Sequence, residues 1–140
     1  VYAKNVNTNI KNKIVRDFGE FGDIIWVKKE DKIDFFTAMF GGGPAYFFYI
    51  LNCFNKIIKK NGFTERQSLS AIKLLLKGVL DNINKENFRF SDSIQKVASK
   101  GGTTEEGLKV LSKRNNLFLL FEKAILSAEN KSKRISKKLI

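Results

Sequence analysis

The sequence predicts a mainly α-helical protein, in which a helical domain of about six helices follows a short βαβ unit. First, from about residue 31 the apolar residues recur at helical spacing. Second, residues 1–27 instead place two short apolar runs on either side of one helical pattern. Third, 140 residues with 43% hydrophobic content suffice for one domain, or for one domain with a fragment of another.

The first 27 residues are expected to form a strand, a helix and a second strand. Residues 1–3 and 23–27 are the strand-like runs. Between them, Thr8 is expected to cap a helix whose apolar side chains share one face. Because a single βαβ unit cannot cover its own faces, we expect it to be the last piece of a larger α/β domain. The apolar residues of its helix are Ile10, Ile14, Val15 and Phe18.

The rest of the chain carries the start and stop signals of successive helices. A short helix over residues 31–40 is expected to end at Gly41, and Pro44 is suited to the start of the next one. Residues 64–67, Thr-Glu-Arg-Gln, form a capping box for a helix that runs to about residue 84. Further helices are expected at residues 91–98, 104–113 and 117–138.

Three of these helices are apolar on more than one side. They are the helix that begins at Pro44, the one after Thr64 and the last one. A surface helix needs an apolar stripe only about 100° wide. A chain of this size buries only about two thirds of its surface, so it cannot enclose all three. The pattern favours an interlocked homodimer over the alternative, a monomer with an unusually apolar core.

Two glycine-rich segments interrupt the helices, at residues 41–46 (GGGPAY) and 99–104 (SKGGTT). Glycine inside a helix lowers its stability by about 1 kcal/mol relative to alanine. Such clusters therefore indicate places where the backbone closely approaches a ligand or another part of the protein. The second segment leads into a helix N-terminus, where free N–H groups and the helix dipole favour an anion. The alternative is that Thr103 or Thr104 merely caps the helix. The candidates for a small-acid site are Ser99, Gly101, Gly102, Thr103 and Thr104.

The two segments together resemble the signatures of the pyrroline-5-carboxylate reductase family. Residues 33–46, IDFFTAMFGGGPAY, resemble the first signature, and residues 97–108, VASKGGTTEEGL, resemble the second. Their order and spacing agree with the family, and the resemblance extends from residue 1 to about residue 139. The chain departs from the family at Lys100, where the family has proline, and at Phe40 and Gly42, where it prefers serine.

The resemblance implies a fold, a reaction and roles for the candidate residues. Residues 1–29 would be the C-terminal remnant of a Rossmann-type dinucleotide-binding domain, and residues 30–140 a helical dimerisation and substrate-binding domain. The family reduces 1-pyrroline-5-carboxylate to L-proline, the last step of proline biosynthesis, with NAD(P)H, and pairs as a homodimer or a higher oligomer. Thr104 would be the catalytic residue, placing its hydroxyl at the imine nitrogen, while Ser99 and the backbone of Gly102 and Thr103 would hold the carboxylate.

The cofactor site is expected to be largely absent from this chain. No G-x-G-x-x-G follows a predicted strand, so we expect the chain alone to be inactive. Gly41, Gly42, Gly43 and Pro44 either only let two helices pack closely or contact the nicotinamide or the substrate, with Gly42, Gly43 and Pro44 as a possible wall of the cofactor pocket. An alternative function is a non-catalytic helical dimerisation module from a truncated or decaying reductase gene, which Lys100 and Phe40 favour slightly.

Composition argues against several other functions. The net charge of +12 comes from lysines spread along the chain, without an aromatic–basic stripe, and favours a solvated basic surface over a nucleic-acid partner. With no histidine and one cysteine, no metal site is expected. No apolar run reaches the ~18 residues of a membrane span, so the cytoplasm is the expected compartment. Glu30 and Asp34 are expected to charge and cap a helix start rather than to act as acid and base.

Overall fold

A computed structural model of the chain describes residues 6–138, and α-helices account for most of them. The described residues contain no β-strand, and six α-helices follow residue 30. The prediction of a mainly α fold with about six helices in its helical domain is therefore confirmed. The described residues form two compact units, one made of residues 6–44 and 122–138 and the other of residues 45–121.

The predicted βαβ unit is wrong where the structure describes it. Its helix forms, but residues 23–27 are irregular rather than a strand. A strand forms only where a neighbouring strand satisfies its N–H and C=O groups, and a short apolar run does not specify that neighbour. The other predicted strand, residues 1–3, lies outside the described residues. The proposed division into domains at residues 29 and 30 stays a prediction.

Helix α1 (Thr8–Phe18) is capped one residue earlier than predicted, and Thr8 is its first residue. Asn7 occupies the N-cap position, and its side-chain oxygen accepts a hydrogen bond from the Ile10 N–H at 3.0 Å. The helix continues into a 3₁₀ turn, Gly19–Phe21. Lys11 Nζ lies 5.6 Å from the centroid of the Trp26 ring, so a cation–π contact ties α1 to the irregular segment that follows.

The short helix predicted over residues 31–40 has two parts. Helix α2 (Lys32–Phe36) passes directly into a π-helical turn, Thr37–Gly41, in which the Gly42 N–H donates to the Thr37 carbonyl oxygen at 3.3 Å. The Thr37 hydroxyl donates to the Ile33 carbonyl oxygen at 2.9 Å. Such turns are rare and occur often at functional sites. This one lies inside the first signature.

The remaining helices follow the predicted order closely. The helix predicted to begin at Pro44 begins at Gly43, one residue earlier. The helix predicted after the second glycine-rich segment begins at Thr103. A 3₁₀ turn, Lys113–Asn115, precedes the last helix, with Arg114 at φ 53°. The bounds are α3 (Gly43–Lys60), α4 (Glu65–Ile83), α5 (Phe90–Val97), α6 (Thr103–Ser112) and α7 (Asn116–Ser136).

The turn between α3 and α4 has the predicted capping box. The Gln67 N–H donates to Thr64 Oγ1 at 3.3 Å, and the Thr64 N–H donates to Gln67 Oε1 at 2.9 Å. Gly62, at φ +91°, ends α3 in the left-handed conformation that glycine adopts most easily. These local bonds make α3 and α4 a helical hairpin.

Charged and polar side chains join α3 to the start of α4. Lys59 Nζ contacts Glu65 Oε2 at 2.6 Å, and Asn55 Nδ2 donates to Glu65 Oε1 at 3.0 Å. The hydrogen bond from Lys59 and, to a smaller extent, the one from Asn55 hold the pKa of Glu65 below its ordinary value. Further along α4, Ser68 is fully buried and Ile72 is 6% exposed, so the hairpin has a small interior of its own.

Candidate functional site

The segment predicted to bind a small acid, residues 99–104, forms a tight turn between α5 and α6; we call it the acid loop. The Gly102 N–H donates to the Ser99 carbonyl oxygen at 2.9 Å, which closes the turn. Gly101 has φ +76°, and a Cβ on Gly102 would lie 2.6 Å from Ser99 Oγ. Both glycines are therefore required by the turn itself.

The alternative in which a threonine only caps α6 does not hold. Gly102 is the N-cap residue, and no side chain caps the helix. Thr103 and Thr104 occupy the first two helical positions, and both are exposed. Among the described residues, neither hydroxyl has a hydrogen-bond partner. Both hydroxyl groups are thus available to a ligand.

Backbone donors are also available at this helix start. The first N–H groups of an α-helix lack an intrahelical acceptor, which leaves the amides of Thr103, Thr104 and Glu105 free to bind an anion. The amide of Gly102 differs, because it is already donated to Ser99. The N–H group of Thr103 is therefore the predicted backbone donor that remains free to bind a carboxylate.

Sequence reasoning missed Glu105, which interacts directly with the acid loop. Its Oε2 accepts a hydrogen bond from the Gly101 N–H at 2.6 Å. The signal was present, because a glutamate at the third helical position commonly reaches back to the amides before the helix. Glu105 therefore stabilises the turn, and its charge also opposes an incoming carboxylate. The next residue, Glu106, is paired with Lys109 at 2.6 Å.

The glycines and the proline of the first glycine-rich segment, residues 41–44, lie in the other unit. Gly42 and Gly43 bracket the start of α3, and Pro44 follows in its first turn, where a missing N–H costs nothing. A Cβ built on Gly41 or Gly43 would meet no atom within 4 Å. The close helix packing that we considered for these two glycines does not occur within the described chain. The space beside them is open.

Asp34 acts differently from the predicted helix cap. It lies in the first turn of α2, but its Oδ1 accepts a hydrogen bond from the Ser132 hydroxyl of α7 at 2.6 Å. The N-cap position belongs to Asp31, which makes no capping bond. The hydrogen bond between Asp34 and Ser132 thus joins α2 to α7.

Lys133 of α7 lies near the same charges. Its hydrogen bond to Glu129 raises the pKa of Lys133, and the nearby charges of Asp34 and Asp31 make smaller contributions in the same direction.

Much of the apolar surface of the chain is exposed. The accessible surface is 12426 Å², whereas a folded monomer of this length exposes about 7,400 Å². The buried hydrophobic residues of the described chain are Ala38 and Ile72, whereas Phe48 is 71% exposed and Leu74 69% exposed. The helices that the sequence indicated to be apolar on several sides therefore face solvent.

An apolar groove runs between the helices of the hairpin. Its volume is about 250 Å³. On each helix the lining residues include one pair three positions apart and one pair four positions apart, so each helix contributes one face. They are Phe54, Ile57 and Ile58 of α3 and Ala71, Ile72 and Leu75 of α4.

Residues 6–138 contain neither a cluster of metal-binding side chains nor a helix suited to a membrane. Histidine, cysteine and acidic side chains do not come together there in a group of three or more that would hold a metal ion. No helix in that range combines the length and the hydropathy that crossing a bilayer requires.

Comparison with known proteins gives one family. The family described as "Pyrroline-5-carboxylate reductase dimerisation" matches residues 30–135. The pyrroline-5-carboxylate reductase of Staphylococcus epidermidis is 28% identical over 137 residues, which are 98% of this chain and 50% of that protein. The enzyme of Staphylococcus aureus is 29% identical over 135 residues, 96% of this chain and 49% of that protein.

Solved structures agree with the sequence matches. A pyrroline-5-carboxylate reductase from Coxiella burnetii gives a TM-score of 0.84 at 30% identity, over 95% of this chain and 49% of that chain. Plasmodium falciparum pyrroline carboxylate reductase, solved with NADP bound, gives a TM-score of 0.78 at 29% identity. The match covers 94% of this chain and 50% of that chain. The chain thus spans about half the length of the relatives that it matches.

Proposed function

We propose, from the premise that the chain belongs to the pyrroline-5-carboxylate reductase dimerisation family, that it is the dimerising and substrate-binding part of such a reductase. The reaction proposed for the complete enzyme is the reduction of 1-pyrroline-5-carboxylate to L-proline with a nicotinamide dinucleotide. Within this reaction, the described residues would pair two subunits and hold the carboxylate of the substrate.

The acid loop is the observation that carries the substrate proposal. Its free groups are the amides and the hydroxyls of Thr103 and Thr104, all at the positive end of the α6 dipole. In the proposed complex, the Thr103 amide and the Ser99 hydroxyl hold the carboxylate. The Thr104 hydroxyl lies at the ring nitrogen, where it orients the imine for reduction.

A nicotinamide dinucleotide would supply the hydride. The described residues do not fit its pyrophosphate, since no strand leads into a glycine-rich turn and a helix among them. The open space beside Gly43 fits a pocket wall, so Gly42, Gly43 and Pro44 are proposed only as residues beside the nicotinamide.

A titration with L-proline tests the substrate proposal. Amide shifts should centre on residues 99–107, with an affinity no better than millimolar, about −4 kcal/mol. Thr104→Val should weaken the shifts, because it removes the hydroxyl and keeps the shape. Ser112→Ala, at the other end of α6, should leave them unchanged. Shifts that are absent, or spread evenly over the basic surface, would overturn the proposal.

Self-association is the second part of the proposed function. The exposed surface exceeds that expected for a monomer by about 5,000 Å², and obligate interfaces bury 2,000–5,000 Å² or more in total. We therefore propose a homodimer. Its existence does not depend on the acid loop, so the two parts can be tested separately.

A non-catalytic dimerisation module is the second candidate. The Glu105 carboxylate on the Gly101 amide favours it, because a fixed negative charge beside the loop opposes the substrate. A dimer that shows no shift with L-proline would support this candidate over the reductase. A dimer with shifts at the acid loop would exclude it.

A further inference from the structure

We propose that a second pocket, formed by residues 27–36, binds a phosphate ester whose organic part is apolar or aromatic. The pocket lies wholly in the unit made of residues 6–44 and 122–138. It shares no residue with the acid loop or with the residues proposed beside the nicotinamide. The site is therefore additional to the proposed function.

The apolar part of this pocket is aromatic and is held by its own packing. Val27 and the rings of Phe35 and Phe36 line it. These two rings meet edge to face with their centroids 6.0 Å apart, and the Phe36 ring lies 5.0 Å from the ring of Phe40. The rings are thus positioned before a ligand arrives, which lowers the entropic cost of binding. The volume of about 540 Å³ falls in the range of about 300–1,000 Å³ that is typical of small-molecule sites.

The charged part of the pocket carries an excess of lysine. Lys28, Lys29 and Lys32 line it together with one carboxylate, that of Asp31. Within the part of the chain that the structure describes, none of the three ammonium groups forms an ion pair or a side-chain hydrogen bond. The Asp31 charge lies near the ammonium of Lys133 on α7, whose pKa it helps to raise, so this carboxylate is already partly compensated. Positive charge is therefore available to an anion.

The combination of lysines and aromatic rings favours a phosphate ester over other anions. A lysine ammonium is a compact point charge, whereas the planar guanidinium of arginine is the group that matches a carboxylate with two parallel hydrogen bonds. A phosphate monoester carries about −1.5 to −2 charges at neutral pH, and its three oxygens can accept from more than one ammonium. The organic part of the ester would lie on the phenylalanine rings and leave water. A wholly polar anion would not use the rings, so the pocket selects an amphipathic one.

The single tryptophan of the chain provides a readout beside this pocket. Trp26 directly precedes Val27 and is half-buried, and Lys11 Nζ lies 5.6 Å from the centroid of its ring. Its fluorescence should therefore change when the pocket is filled. This readout needs neither a label nor a substitution.

Three probes titrated into the full chain separate the two parts of the proposed ligand: phenyl phosphate, inorganic phosphate and phenol. Phenyl phosphate should bind at least about tenfold more tightly than either of the others, because only it contacts both the lysines and the rings. Amide shifts should centre on residues 26–36, and the Trp26 fluorescence should change with the same midpoint. Phenyl phosphate that binds no better than inorganic phosphate or phenol would overturn the proposal. Shifts that centre on the acid loop or spread over the basic surface would also overturn it.

Lys28→Gln and Lys32→Gln test the charged part of the pocket. Both lysines are exposed, so the variants should fold. In water, one charge pair at 4 Å changes an affinity about fivefold, and each variant should weaken the binding of phenyl phosphate by about that factor. Lys77→Gln on α4 is the matched control, because it removes the same charge outside the pocket; it should change the affinity less than about twofold. Equal weakening by all three variants would reveal a response to net charge alone and would refute the site.

Phe35→Ala tests the aromatic part. Phe35 is 37% exposed, so its removal should leave the chain folded. It should reduce the preference for phenyl phosphate over inorganic phosphate at least about threefold, because the contact area of the ring is lost. Phe118→Ala, at a side chain 64% exposed on α7, should leave the preference unchanged. An unchanged preference in Phe35→Ala would contradict the proposal, whereas the titration of the acid loop with L-proline would stand in either case.

Discussion

The acid loop and the α3–α4 hairpin differ in what completes them. The hydrogen bonds that shape the acid loop lie within residues 99–106, so the turn is complete without any partner. The hairpin has a complete capping box, but it leaves an apolar groove and most of its leucines exposed. Polar groups can be satisfied locally, whereas apolar faces need another surface. The loop is therefore the part expected to bind a small acid, and the hairpin the part expected to bind a subunit.

The largest expected effect concerns the interior of the hairpin. Ile72 is 6% exposed, so Ile72→Ala should lower the free energy of unfolding by about 2–3 kcal/mol through lost burial and a residual cavity. Leu74→Ala, on the same helix but 69% exposed, should cost much less under conditions that dissociate the dimer. Urea unfolding of both variants measures the difference. Equal costs would mean that the hairpin has no interior of its own.

The acid loop should be sensitive in its backbone. Gly101→Ala should destabilise the chain by about 1–2 kcal/mol, because φ +76° is strained for any residue with a Cβ. Gly107→Ala is the matched control: it lies inside α6 with open space around it, and should stabilise by about 0.5–1 kcal/mol. Thermal unfolding gives both values. If Gly101→Ala were as stable as the wild type, the turn would not depend on glycine.

Binding at the acid loop should respond to the charge of Glu105. In water, removal of one charge about 6 Å from a bound carboxylate is worth ~0.7 kcal/mol. Glu105→Gln keeps an oxygen that accepts from the Gly101 N–H, so L-proline should bind roughly threefold more tightly. Glu105→Ala removes the hydrogen bond as well and should disorder the loop. Weaker binding by Glu105→Gln would show that the charge supports the site rather than opposing it.

The smallest effect is a pH dependence of the hairpin. Hydrogen bonds from Lys59 and Asn55 hold the pKa of Glu65 below its ordinary value in the folded chain. The stabilisation is therefore complete above the unfolded-state pKa and is lost as the pH falls through the lower, folded-state pKa. Glu65→Gln should remove this part of the acid dependence in urea titrations between pH 6 and pH 3. An unchanged profile in the variant would assign the dependence to other groups.

Local signals predicted most of the helices. The capping box at Thr64 depends only on neighbouring residues, and it occurs as expected. Residues 23–27 were predicted as a strand but are irregular, because β-propensity is a context-dependent preference that the surrounding structure can override. The π-helical turn at Thr37–Gly41 carries no sequence signal that separates it from an ordinary helix end.

The acid loop was predicted in place but not in detail. The glycines and threonines marked the turn, because positive φ and a helix start restrict residue type locally. The hydrogen bond of Glu105 to Gly101 depends on which rotamer the side chain adopts, which sequence alone does not specify. The contact between Asp34 and Ser132 joins residues 98 positions apart, and no local pattern indicates such a pair.

Sedimentation equilibrium of the chain at two salt concentrations tests the central claim most directly. Each copy carries a net charge of +12, so two copies repel while their apolar surfaces attract. The account predicts a dimer whose dissociation constant falls as salt rises, since salt screens the repulsion. A folded monomer at micromolar concentration in both salts would contradict it.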